Sequence, residues 1–245
     1  MRAFFIAAAF WLACLVPASA GYGTPTTIYV STGAPFNSGT AVGPTTADAP
    51  IGSLVWLEPS SFTTNGVSVT SVTDTAGNSY SIIQSVATEL TLSFAYSITT
   101  NDLPIGSTFT VTMSDGSQYG LNFNVYSVSG VASLDVSTAF TSTSGGTSVS
   151  LSSGTLGTSS DLLIGSVICN GASCGTVTES SGFTNLTGAG ALSFGSIGTD
   201  QPASTTSATY HPSWTSSHGY SAVLVAFKPL ATTPCSLTLV GVGKC

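Results

Sequence analysis

Tyr220-Ser221-Ala222-Val223-Leu224-Val225-Ala226-Phe227 is the stretch on which the fold turns. It ends in six consecutive apolar residues and is closed by Lys228-Pro229, so it has the length of one strand and lacks the length of a helix. Both of its alternating faces are apolar, which places it as a central strand covered on both sides. Leu54-Val55-Trp56-Leu57 reads in the same way, and Trp56 is expected in the core.

Outward from these two runs, apolar and β-branched residues alternate with Ser and Thr in short segments separated by Gly, Asn, Asp and Pro. The period-two pattern fits 27–31, 53–58, 67–73, 79–85, 90–98, 108–113, 121–128, 147–151, 162–169, 191–197, 207–211 and 220–227. No window carries a sustained helical period. Asp74-Thr75-Ala76-Gly77-Asn78 lies between two alternating runs and suits a tight hairpin. The Ser/Thr/Gly-rich stretch 141–160 reads as an exposed strand pair or a flexible loop, with alternation at Ser148-Val149-Ser150-Leu151 favouring a strand inside it. The expected fold is all-β: a single two-layer antiparallel β-sandwich, jelly-roll-like, over residues 21–230.

Residues 1–20 read as a cleaved signal peptide. Met1-Arg2 precedes an apolar run from Ala3 to Val16, and Pro17-Ala18-Ser19-Ala20 ends in the small-x-small pattern of signal peptidase sites. The run is shorter than the roughly 20 residues a bilayer requires. A lipoprotein processed at Cys14 is the competing reading; Trp11 fits it poorly, and the apolar run continues past the cysteine.

From Gly21 onward the chain carries two lysines, no arginine and ten Asp and Glu, a formal charge of −8. Such a surface repels phosphate backbones and anionic head groups, which excludes nucleic acid as a partner. The hydrophobic fraction of 42% is ample for a core. Four cysteines remain, an even number suited to an oxidising compartment. Cys169 and Cys174 enclose the turn-forming Asn170-Gly171-Ala172-Ser173, and Cys235 and Cys245 bracket a tail, 231–245. Four cysteines allow three connectivities, and the glycines in both short loops favour the sequential one. Neither cysteine spacing is that of a zinc site, and no cofactor motif is present.

Val72-Thr73-Asp74-Thr75-Ala76-Gly77-Asn78-Ser79-Tyr80 resembles the V-T-D-x-x-G-N-x-Y hairpin of a group of secreted bacterial and phage-associated β-sandwich modules. Tyr126-Ser127-Val128-Ser129-Gly130-Val131 with Leu134-Asp135-Val136 is similar to their middle segment, and Ala226-Phe227-Lys228-Pro229 to their closing strand. The resemblance covers about residues 50–229. It implies the sandwich fold and no shared catalytic set.

The chemistry-bearing residues are few. Gly171-Ala172-Ser173-Cys174-Gly175 matches the nucleophile-elbow pattern, but Thr176-Val177-Thr178-Glu179 reads as strand where that motif needs a helix. The ten carboxylates are scattered, most of them at expected turns, where Asp caps through its own side chain. An acid pair for glycoside cleavage is not recognisable, and no D-x-D-x-D cluster points to calcium. Tyr210, His211, Trp214, His218 and Tyr220 gather the only two histidines and three aromatic rings in one segment. They form either a loop packed on the sandwich edge or a sugar-binding patch.

These readings lead to an expected function: a non-enzymatic extracellular interaction module, adhesin-like, binding a glycan or a surface protein. The alternatives are a structural subunit that assembles through edge strands or its tail, and a glycoside-active enzyme. No membrane insertion of the mature chain is expected.

Overall fold

The computed structural model describes residues 21–30, 38–39, 41–61, 66–86, 90–115, 123–170, 174–186, 197–202 and 206–231. Residues 1–20, expected as a signal peptide, Cys235, Cys245 and residues 191–196 of one expected strand lie outside the described residues. Among those described there is no helix.

The strands, in chain order, are β1 (Thr26–Tyr29), β2 (Ala41–Val42), β3 (Leu54–Leu57), β4 (Ser60–Ser61), β5 (Val69–Asp74), β6 (Ser81–Val86), β7 (Thr91–Ile98), β8 (Phe109–Met113) and β9 (Val125–Val128). They continue with β10 (Val131–Ser148), β11 (Leu151–Ser152), β12 (Leu162–Cys169), β13 (Val177–Thr178), β14 (Thr184–Asn185), β15 (Ile197–Pro202), β16 (Thr209–Tyr210) and β17 (Ser213–Pro229). All pairings are antiparallel.

One sheet runs β1-β9-β3-β7-β4 with β6 also on β7, and a second runs β10-β17-β12-β15-β14 with β13 also on β17. Their facing sides enclose a core of Leu54, Trp56, Phe94, Tyr126, Ile164, Val225 and Phe227, among others. The intervening residues of the same strands point the other way. Val55, Leu57 and Ala95 pack against Phe109, Val111 and Val72 of a third sheet, β2-β8-β5. Leu163, Ala222, Leu224 and Ala226 are covered by Tyr210, Leu151, Phe183 and Trp214. The two runs that read as doubly buried are doubly buried, and each outer face of the sandwich carries its own hydrophobic cover.

The Val72–Tyr80 motif proves to be a turn between sheets. Asp74 Oδ1 accepts from the Asn78 backbone N–H (3.1 Å), while Oδ2 accepts from Asn78 Nδ2 (3.0 Å) and the Tyr80 hydroxyl (2.8 Å). Gly77 holds φ at +80°, a conformation that penalises any side chain. A hairpin was expected here, but β5 pairs with β8 and β6 with β7, so the two strands share only the bridge Thr73–Ser79. The third sheet's demand for β5 separates them.

A second device links the same two sheets. Thr45-Thr46-Ala47-Asp48-Ala49-Pro50-Ile51-Gly52-Ser53 and Thr99-Thr100-Asn101-Asp102-Leu103-Pro104-Ile105-Gly106-Ser107 are identical at seven of nine positions. They lie antiparallel and exchange equivalent bonds. Asp48 Oδ1 accepts from Ile105 N–H and Asp102 Oδ1 from Ile51 N–H, at 2.6 and 2.9 Å. Thr45 and Thr99 hydroxyls donate to the Pro104 and Pro50 carbonyls, at 3.0 and 2.7 Å. Ala49 and Leu103 form a two-way bridge, 2.9 Å in each direction. One copy carries the chain from β2 to β3, and the other from β7 to β8.

Candidate functional site

The aromatic segment 210–220 is not a solvent-facing loop. Tyr210 closes β16, and its ring lies flat on β12 at Gly165, where an added Cβ would come within 2.7 Å of the ring. Phe183 packs against it, tilted, with ring centroids 5.0 Å apart. Trp214 is 4% exposed, and its indole N–H donates to the Gly146 carbonyl at 2.8 Å. Tyr220 is half-buried, edge-on to Trp214 at 5.0 Å and tilted against Phe140 at 6.0 Å. Gly146 makes room for the Tyr220 ring, since a Cβ there would lie 2.9 Å from it. His211 is exposed; its backbone N–H donates to the Ser180 hydroxyl, 3.0 Å. His218 sits opposite Gly146 in the β10–β17 ladder.

Of Tyr210, His211, Trp214, His218 and Tyr220, the structure buries Tyr210 and Trp214, leaves His218 and Tyr220 partly exposed and His211 exposed. A stacking platform needs ring faces open to solvent, and the faces of Tyr210 and Trp214 are spent on covering the outer side of β12 and β17. For Tyr210 and Trp214 the packed arrangement is the one observed. Cys169 and Cys174 form a disulfide with Cα atoms 5.3 Å apart, and both are buried within this same cover.

Among the border strands of these sheets the longest is β10. It spans 18 residues at the border of the second sheet, pairs on one side with β17, and has no partner strand on its other side among the described residues. Its register with β17 is continuous from Val136 to Ser142 and shifts at both ends, at Leu134/Val136 and Ser142/Gly146. Val136, Thr138 and Phe140 share a face with Ala226, Leu224 and Ala222; on that face the Thr138 hydroxyl donates to the Ser152 carbonyl of β11 at 3.0 Å, and Phe140 is 45% exposed. No Lys, Arg or Pro interrupts the strand; its single charge, Asp135, is paired with Lys228 Nζ at 3.0 Å. Natural edges are ordinarily blunted by just those residues.

Sequence reading missed β10 because hydroxyl residues dominate it. The signal was nevertheless present: Leu134, Val136, Thr138 and Phe140 alternate with smaller or polar neighbours.

Two groups of acids lie inside the fold. Glu58, which ends the apolar β3 run, is 2% exposed; its Oε2 accepts from the Ser166 hydroxyl at 3.1 Å. Burial pushes its carboxyl up to about 7, with Ser166 and the Trp56 indole opposing and the Glu179 charge adding. Burial likewise pushes Glu179 up to about 7, with a hydrogen bond from the Ser180 backbone opposing. Tyr126 stacks on Trp56 at 5.2 Å and accepts from Asn124 Nδ2 at 3.0 Å, walling the same region. An acid immediately after four apolar residues was the sequence signal for Glu58.

The second group sits at the other end of β12 and β17. Asp135 accepts from the Gly157 N–H, which holds its carboxyl below the ordinary range. Asp161 is fully buried, which raises its carboxyl against the Thr158 hydroxyl bonded to it at 2.6 Å. Beside them the Tyr22 hydroxyl accepts from Leu162 N–H at 2.9 Å and faces the Ser160 and Phe227 carbonyls at 2.8 and 3.0 Å. These contacts tie the N-terminal segment to the closing strand, so Lys228 and Asp135, from two parts of the resemblance, have a structural use.

Among the described residues no three His, Cys, Asp or Glu side chains gather as a metal site, and no helix is long and apolar enough to cross a membrane. No protein-family model, curated protein or solved structure matches this chain.

Proposed function

We propose that this chain is a non-enzymatic interaction module that works outside the cell and engages a protein partner by strand addition at β10. The observation that carries the proposal is the uncharged border of β10 from Val136 to Phe140, which has no partner strand among the described residues. Main-chain hydrogen bonds along such a border supply affinity, and alternating side chains supply selectivity. The reading of the first 20 residues as an export signal supports an extracellular setting, and the Cys169–Cys174 disulfide is compatible with it. A protein partner is favoured over a glycan because the aromatic rings are committed to packing.

The test is adherence of purified protein to the envelope of the cells that export it. Wild type and Ala139→Lys are compared, Ala139 being exposed on the border. Binding lost in the lysine variant, with the fold intact, is the expected result. Equal binding by both, from a wild-type chain that also does not associate with itself, overturns the proposal.

A further inference from the structure

We infer that β10 pairs with β10 of a second copy of this chain, antiparallel about a two-fold axis through Thr138, joining the two outer sheets into one continuous sheet. The inference rests on the strand-addition reading and names its partner.

Three observations carry it. First, charge: the chain is strongly acidic, so most of its surface repels a copy of itself, whereas the border from Val136 to Phe140 carries no charge and adjacent Asp135 is neutralised by Lys228. Second, pattern: residues equidistant from Thr138 become cross-strand neighbours, so Val136 of one copy meets Phe140 of the other, and Ser137 meets Ala139. The apolar pair falls on one face and the small pair on the other, which is the self-complementarity an isologous contact requires. Phe140 is the exposed large side chain of this border, at 45%, and the pairing gives it an apolar neighbour. Third, length: register with β17 is unbroken across this segment and shifts just beyond it on either side. The border is regular where pairing is inferred, and the bulges bend the strand outside it.

The experiment is sedimentation velocity over a concentration series on the exported chain, comparing wild type with Ala139→Lys. A lysine on the exposed border adds a charge close to its two-fold mate without entering the core. The expected result is a reversible wild-type dimer and at least a tenfold weaker association for the variant, with unchanged circular dichroism and melting temperature. Thr138→Cys, which gives up the bond from the Thr138 hydroxyl to the Ser152 carbonyl, should also cross-link to itself on mild oxidation, since a two-fold axis at that residue brings the two thiols together. A wild-type monomer throughout the series, or a dimer indifferent to Ala139→Lys, overturns the inference. If wild type is monomeric yet Ala139→Lys still abolishes envelope binding, the partner is a different protein and the strand-addition reading stands. If both measurements fail, both readings fall.

Discussion

The indole N–H of Trp214 donates to the carbonyl of Gly146 across 2.8 Å, fixing the start of β17 to the far end of β10. The ring is thereby sunk in the cover over the second sheet. Trp214→Ala should destabilise the protein by about 3–5 kcal/mol, as large-to-small core changes do. Trp214→Phe should retain part of that burial and lose the hydrogen bond. Denaturant unfolding of both variants checks this; an alanine variant as stable as wild type would show that the ring is not part of the core.

The buried Glu58 makes stability depend on pH in an unusual direction. Its folded-state carboxyl is raised to about 7 from an ordinary 4.5, so the folded protein holds a proton that the unfolded chain releases. The stabilisation is complete below about pH 4.5 and is lost as pH rises through about 7. Glu179, raised to about 7, adds in the same sense. Glu58→Gln keeps the Ser166 contact and removes the ionisation. It should raise stability at pH 8 by up to about 3 kcal/mol and flatten the profile between pH 4.5 and 7. Urea unfolding at several pH values reads both effects, and a profile in wild type that climbs across that window would be contrary to the account.

At Gly165 the backbone must come close to the Tyr210 ring. A methyl group would lie 2.7–2.8 Å from three of its carbons. Gly165→Ala should cost about 1–3 kcal/mol through overpacking. The same substitution at Gly154 meets nothing within 4 Å, but its φ of +71° strains a side chain there too, so it is an unsuitable control. Loss of stability at Gly165 should shrink when Tyr210 is first replaced by Leu, because the obstructing ring is then absent; the double-mutant cycle measures that coupling.

The disulfide closes a loop only five residues apart in sequence, so its entropic contribution is modest. Replacing Cys169 and Cys174 together by Ala should cost about 2 kcal/mol. Thermal melts with and without reductant, compared with the double variant, test the figure; reductant without effect on the wild type would contradict it.

Legibility in the sequence followed burial. Leu54–Leu57, Leu162–Cys169 and the apolar part of β17 were readable because both faces of each are covered, which leaves runs with a single polar interruption, Ser166. The Asp74 turn was readable from Asp, Gly and Asn, but the parting of β5 and β6 was not, since that depends on a third sheet which local sequence does not encode. The Thr45–Ser53 repeat stood in the sequence in full, at a separation of 54 residues that no strand periodicity brings to notice. The aromatic segment left packing and binding both open because ring content alone says nothing of which way a ring faces; for Tyr210 and Tyr220, Gly165 and Gly146, far away in sequence, make the room. β10 was hidden because an open border selects hydroxyl and small residues, which in sequence resemble a loop.

The most direct test of the account is backbone hydrogen exchange over Val136–Phe140 as a function of concentration. If β10 is an open border, its outward-pointing amides exchange quickly in dilute protein and become protected as copies associate, while those bonded to β17 stay slow throughout. Protection of every amide in the segment at all dilutions would mean that the chain covers this border itself, and the central claim would fail.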